Sequence, residues 1–102
     1  MKKTYESIKL NVGEKSFAQS DIKEVEFKGK LLSSLITYTR KSPVGAYGTC
    51  WELYKTSDAN FLVWQKNFML FCDELGVSRI DIYDDITQLW GNVPEELINS
   101  II

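Results

Sequence analysis

The sequence predicts an α+β domain: an antiparallel sheet, a meander of about five to six strands, with one or two short C-terminal helices packed on one face. Three observations carry that expectation. Short runs of β-branched and aromatic residues recur as far as Tyr83. Clusters of Gly, Pro, Asn and Ser punctuate them. Helix-start signals stand after Tyr83, with acids and Pro94 placed where a first turn accepts them. At 102 residues and 44% hydrophobic, the chain reads as a single domain over 1–102 with enough apolar side chains for a core.

Residues 4–12 alternate loosely, with Tyr5, Ile8, Leu10 and Val12 apolar, and predict a first strand ended by Gly13. Residues 14–21 are polar around Phe17 and predict a loop. Residues 22–27 predict a half-exposed strand, and Lys28-Gly29-Lys30 after it a turn or bulge. Residues 31–40 end in β-branched and aromatic side chains and predict another strand. Ser42-Pro43 and Gly45 to Gly48 mark a loop over 41–48.

Residues 49–56 predict a strand with Trp51 and Leu53 on one face and Cys50, Glu52 and Tyr54 on the other. Ser57-Asp58-Ala59-Asn60 reads as a four-residue hairpin loop, with Asn tolerating the left-handed conformation. The returning strand is 61–68, with Leu62, Trp64 and Phe68 on one face. The same segment also fits a helix over 58–75, capped by Ser57 or Asp58 and ended by Gly76; the turn residues favour the hairpin. Residues 78–83 predict a short strand with Ile80 and Ile82 inward and Arg79 and Asp81 outward. Asp84-Asp85 starts a helical turn that Gly91 ends. Pro94 opens a last helix with Leu97, Ile98, Ile101 and Ile102 on its apolar face.

The formal net charge of −2 disfavours nucleic acid as a partner. It conceals an asymmetry. Residues 1–51 hold nine Lys or Arg against five Asp or Glu, whereas residues 52–102 hold three against nine. Such halves either complement each other within one molecule or present a basic and an acidic surface to a second copy. Met1-Lys2-Lys3 leads into polar residues, so no secretory signal is expected, and no run reaches the roughly 20 apolar residues of a membrane helix. A cytoplasmic protein with Cys50 and Cys72 as free thiols is the expectation.

The chain has no histidine, which removes Ser-His-Asp and Cys-His catalysis and the zinc sites that use His. Two cysteines cannot complete a four-Cys metal site. Asp81, Asp84 and Asp85 match no calcium-loop spacing and read as a strand edge and a helix cap. Gly45-Ala46-Tyr47-Gly48 lacks the lysine and serine of a phosphate-binding loop. No cofactor, metal or catalytic residue is therefore expected, and the chain does not read as an enzyme.

Aromatic density is the strongest non-random feature. Seven of the thirteen aromatics fall between Tyr47 and Phe71. One sheet face buries part of them, and the remainder can anchor a partner on the second face. Tyr38, Arg40, Tyr47, Tyr54 and Trp64 are the candidate contact residues, with Lys66 beside them. A protein-interaction module follows, most simply a homodimer joined by edge-strand pairing or by opposite charge. The alternative is a small-ligand pocket lined by Trp51, Trp64 and Trp90.

Five segments carry a family likeness: Phe27-Lys28-Gly29-Lys30-Leu31-Leu32, Trp51-Glu52-Leu53-Tyr54-Lys55-Thr56, Asn60-Phe61-Leu62-Val63-Trp64, Asp85-Ile86-Thr87-Gln88-Leu89 and Val93-Pro94-Glu95-Glu96-Leu97. Together they resemble the small bacterial proteins called the EXLDI family, over roughly residues 25 to 98. The resemblance implies a small bacterial cytoplasmic protein, from a phage or mobile element in one version of this reading. It implies no activity and carries over no functional residue.

Overall fold

The computed structural model describes residues 5–15, 20–42, 45–69 and 76–101. For residues 15, 20, 39–42, 45–47, 68, 69 and 76 it describes the backbone alone. Five strands follow in chain order: β1 (Glu6–Lys15), β2 (Ser20–Ser42), β3 (Gly45–Thr56), β4 (Phe61–Met69) and β5 (Gly76–Tyr83). A 3-10 turn (Ile86–Leu89) and one short helix, α1 (Glu95–Asn99), complete the order. The antiparallel meander is as the sequence predicts, but the fold is mainly β rather than α+β. Gly91, with φ +87°, and Pro94 separate the 3-10 turn from α1, which has only five residues.

The strands close into a barrel in the order β1-β2-β3-β4-β5. Closure poses a parity problem. Each antiparallel neighbour reverses direction, so β1 and β5 of a five-strand meander run the same way. Yet β1 pairs antiparallel with β5, through Gly13–Ser78, Glu14–Val77 and Lys15–Gly76. The sheet must fold over on itself for both to hold, and β2 is where it folds.

β2 changes partner at Gly29. Its first part, from Ser20 to Gly29, pairs with β1, and its second, from Gly29 to Ser42, pairs with β3. Lys28-Gly29-Lys30, expected as a turn or bulge, does not reverse the chain and is the pivot of one 23-residue strand, with a register shift just beyond it at Leu31/Ser33. The reason is space. A Cβ on Gly29 would lie 2.7 Å from a ring carbon of Phe27 and 2.8 Å from the Lys55 carbonyl oxygen. Register shifts at Leu31/Ser33 and Tyr38/Arg40 add bend and twist beyond the pivot.

Two other sequence expectations shift for similar reasons. Gly13 does not end β1; with φ +138° it carries the strand on to Lys15, where β1 meets β5. A Cβ there would stand 1.9 Å from the Asp21 carbonyl oxygen, so glycine is required. The loops expected over 14–21 and 41–48 are narrower. Glu14–Asp21, Lys15–Ser20, Lys41–Ala46 and Ser42–Gly45 are ladder pairs, and residues 16–19 and 43–44 lie outside the described residues.

The hairpin over 57–60 forms as predicted, and 61–69 returns as a strand rather than a helix. Residues 70–75 of the alternative helix, with Cys72, lie outside the described residues. Thr56 closes the turn: its N–H donates to the Asn60 carbonyl at 3.0 Å, and its carbonyl accepts from Ala59 at 3.1 Å. Ala59, not Asn60, takes the left-handed conformation, with φ +67°.

The folded-over layer, β1 with the first part of β2, covers one face of the β2-β3-β4-β5 sheet. Leu10, Tyr54 and Leu62 are buried there against Ile8, Phe27, Trp64 and Ile80. The C-terminal segment covers the opposite face. Leu53, Val63, Leu89, Val93, Leu97 and Ile98 form its core, flanked by Leu35, Trp51, Phe61 and Tyr83. Asp85 caps the 3-10 turn by accepting from the Thr87 N–H at 3.0 Å, as its position in the sequence predicts. Pro94 sits at the cap of α1 rather than at its first helical residue. Ser100 Oγ, just past α1, lies 2.6 Å from Ser33 Oγ on β2 and ties the segment to the sheet.

Two backbone positions with positive φ respond in opposite ways to substitution. Gly13→Ala meets both the strained φ and the Asp21 carbonyl, and lowers stability by more than about 2 kcal/mol. Ala59→Gly relieves a left-handed alanine costing roughly 1–2 kcal/mol and gives back about 0.5–1 kcal/mol through the unfolded chain, for a small net gain. Urea midpoints at constant m-value measure both.

Candidate interaction surface

The five residues singled out by aromatic content occupy two separate places. Tyr54 and Trp64 belong to the barrel wall. Tyr54 is 6% exposed, sits edge-on to Phe27 at 5.3 Å between ring centres, and donates its hydroxyl to the Glu52 carboxylate. Trp64 is half-buried, and its indole N–H donates to the Asn11 carbonyl oxygen at 2.9 Å. That same oxygen accepts from Ser78 Oγ, also at 2.9 Å. Both bonds reinforce the short β1–β5 seam.

Tyr38, Arg40 and Tyr47 come together at the far end of the β2–β3 hairpin. Tyr38 stands opposite the buried Gly48, and Arg40 opposite Tyr47. Tyr38 is 49% exposed. Seven positions along β2 separate it from Leu31, the partner of Tyr54, a span of roughly 20 Å or more. The molecule is correspondingly elongated, with extents of 45 × 27 × 26 Å.

Sequence reasoning missed the residue between them. Ile36 pairs with Cys50, Cys50 with Lys66, and Lys66 with Ser78, so these share the face that Tyr54 and Trp64 line farther down. The folded-over layer reaches Tyr54, Leu62, Trp64 and Ile80 and leaves Ile36 52% exposed. An isoleucine in an apolar run reads as core, so only knowledge of where the covering layer stops reveals it. Ile82, expected inward, is another such case at 59% exposed. It stands at the sheet's opposite edge, one alternation past the partly buried Ile80.

An open hollow of about 460 Å³ lies along this stretch, lined by Ser34, Leu35, Ile36, Cys50, Trp51 and Glu52. Burial pushes the Cys50 thiol above its usual range, with Glu52 adding to the rise and Lys66 opposing it. The thiol is thus held protonated and poorly nucleophilic at neutral pH. The three tryptophans do not line one cavity. Trp51 packs with the core under the C-terminal segment, Trp64 with the barrel interior, and Trp90 is 42% exposed. No group of three or more Cys, Asp or Glu that could hold a metal ion occurs among the described residues.

The sheet β2-β3-β4-β5 has two outer edges. Beyond Gly29, β2 pairs only with β3 among the described residues, and beyond Ser78, β5 pairs only with β4. The charges along these edges are one-sided. Residues 30–51 hold Lys30, Arg40 and Lys41 and no acid; residues 80–102 hold Asp81, Asp84, Asp85, Glu95 and Glu96 and no base. Lys30 lies over the Tyr5 ring at 5.6 Å, and Asp81 pairs with the exposed Arg79 at 3.3 Å.

No protein-family model, curated protein or solved structure matches the chain. Among the described residues no helix is long and apolar enough to cross a membrane.

Tyr54 gives this region a pH signature. Burial first, then the hydrogen bond to Glu52 and that carboxylate's charge, hold its phenol well above the ordinary value of 10.0. Burial and then Asp81 raise Tyr83 as well, against Arg79. In the unfolded chain both ionise near pH 10, while the folded protein keeps them protonated. Folding stability is therefore full below about pH 10 and falls as pH rises beyond it. Tyr54→Phe costs about 0.5–1.5 kcal/mol at neutral pH and flattens the alkaline decline, read from urea midpoints across an alkaline pH series.

Proposed function

We propose that the chain is a non-catalytic protein-interaction module, and that its docking surface is the outer half of β2. The observation that carries this reading is a single strand with exposed Ile36 and Tyr38 on the sheet face and no strand partner on its outward edge among the described residues. An extended segment can add to such an edge, with main-chain hydrogen bonds supplying affinity and the apolar side chains specificity. The partner is a second copy of the chain. Charge supports that choice, since the first half carries an excess of four bases and the second an excess of six acids, which attract between copies. The resemblance to the EXLDI proteins is in keeping with a bacterial cytoplasm, a compartment in which a thiol such as Cys50 would stay reduced.

In this reading Tyr38 is a contact at the tip of the surface, beside the backbone pair of Arg40 and Tyr47. Tyr54 and Trp64 act indirectly, by holding the barrel wall from which the hairpin projects.

Light scattering after size exclusion, at two protein and two salt concentrations, tests the reading. The wild-type mass rises above that of the monomer as concentration increases, and less so at high salt. Ile36→Asp, at a half-exposed position where the fold tolerates it, returns the mass to monomer while circular dichroism stays unchanged. A wild-type monomer under all four conditions, or association indifferent to Ile36→Asp, overturns the proposal.

A further inference from the structure

The reading above names a second copy but not the part of it that docks. We infer that the basic β2 edge of one copy receives the acidic β5 edge of the next, head to tail; the inference rests on that reading. Three observations converge on this pairing.

Direction is the first. Three antiparallel steps separate β2 from β5, so the two edges run in opposite senses. A copy laid alongside in the same orientation presents its β5 antiparallel to β2, and the sheet continues across the contact.

Charge is the second. Lys30, Arg40 and Lys41 lie on the β2 edge with no acid, so two β2 edges brought together place like charges near one another. β5 and the turn after it offer Asp81, Asp84 and Asp85 against the single base Arg79. The β2 edge therefore repels itself and attracts β5.

Apolar exposure is the third. Ile36 and Ile82 are 52% and 59% exposed, and the strand pairings put both on the same face of the sheet. Each stands at one of the two edges. Edge pairing brings the isoleucines onto one continuous face, where each can lose exposed apolar area. The usable stretches are also alike in length: residues 34–38 of β2, past the buried Ser33 that Ser100 holds, and residues 79–83 beyond the β1 seam. So short a contact gives weak, concentration-dependent association.

Because the two surfaces differ, each contact leaves one β2 edge and one β5 edge open, and the series can continue past a dimer. The test uses two variants of the full chain, Ile36→Asp and Ile82→Lys, each placing a repelling charge at one edge. Each alone is expected to raise the apparent Kd for self-association at least about tenfold, with circular dichroism unchanged. Mixed in equal amounts, they associate again, because the intact β5 edge of the first meets the intact β2 edge of the second. If Ile36→Asp abolishes association but Ile82→Lys does not, the contact is a two-fold β2–β2 pairing. That result overturns the head-to-tail inference and leaves the interaction reading standing. Loss in both variants with no recovery on mixing also overturns the inference alone. A wild-type chain that stays monomeric, or that ignores Ile36→Asp, overturns the inference and the reading together.

Discussion

The fold depends on the change of partner at Gly29. A five-strand antiparallel meander cannot close on an antiparallel seam while its sheet stays unfolded, and β2 removes the conflict by serving two layers in turn. Glycine makes this possible because the Phe27 ring and the Lys55 carbonyl occupy the space a side chain would need. Gly13 plays the corresponding part at the seam, as the first of three β1 residues, Gly13 to Lys15, that pair with β2 on one side and β5 on the other. Two positions without a Cβ thus set the path of the whole sheet, and the barrel interior follows from them.

The candidate surface is a consequence of the same pivot. β1 accompanies β2 only as far as Gly29, so past that point the outer edge of β2 has no neighbour among the described strands. The folded-over layer is also too short to cover the whole sheet. It buries Tyr54 and Leu62 and stops short of Ile36 and Tyr38. On the opposite face the C-terminal segment supplies a second core, with Leu53, Leu89, Leu97 and Ile98 fully buried. With both faces of the sheet's lower half packed, the projecting hairpin can stay uncovered without loss of the fold. At about 2–5 kcal/mol for each large side chain truncated in such a core, the C-terminal segment is a necessary layer, not an appendage.

Several local signals in the sequence match the structure, whereas the long-range constraints leave no local trace. The hairpin over 57–60, the alternation in β3 that parts Trp51 and Leu53 from Tyr54, and the Asp85 cap all depend on neighbours within a few residues. Gly29 reads as a turn or a bulge because local propensity cannot distinguish a reversal from a strand that must pass close to two others. The candidate site divided along the same line. Aromatic density pointed to Tyr38 but also to Tyr54 and Trp64, whose polar tips are satisfied inside the barrel by Glu52 and the Asn11 carbonyl. Ile36 and Ile82 were illegible for the converse reason: an aliphatic side chain in a strand looks like core until the covering layer is known to end before it.

An exposed apolar strand edge is normally an aggregation hazard, and β2 carries two devices that restrain it. Its bulges at Leu31/Ser33 and Tyr38/Arg40 confine regular pairing to a few residues between them. Beyond Gly29 its only charged residues are the bases Lys30, Arg40 and Lys41, which oppose pairing with a copy of itself. In the proposed head-to-tail pairing, together they favour a short strand of opposite charge over a second β2 edge. The acid-only stretch that follows Arg79 on the far edge of the same sheet has that character, so selectivity between the two modes of association can arise from electrostatics without any further specific contact.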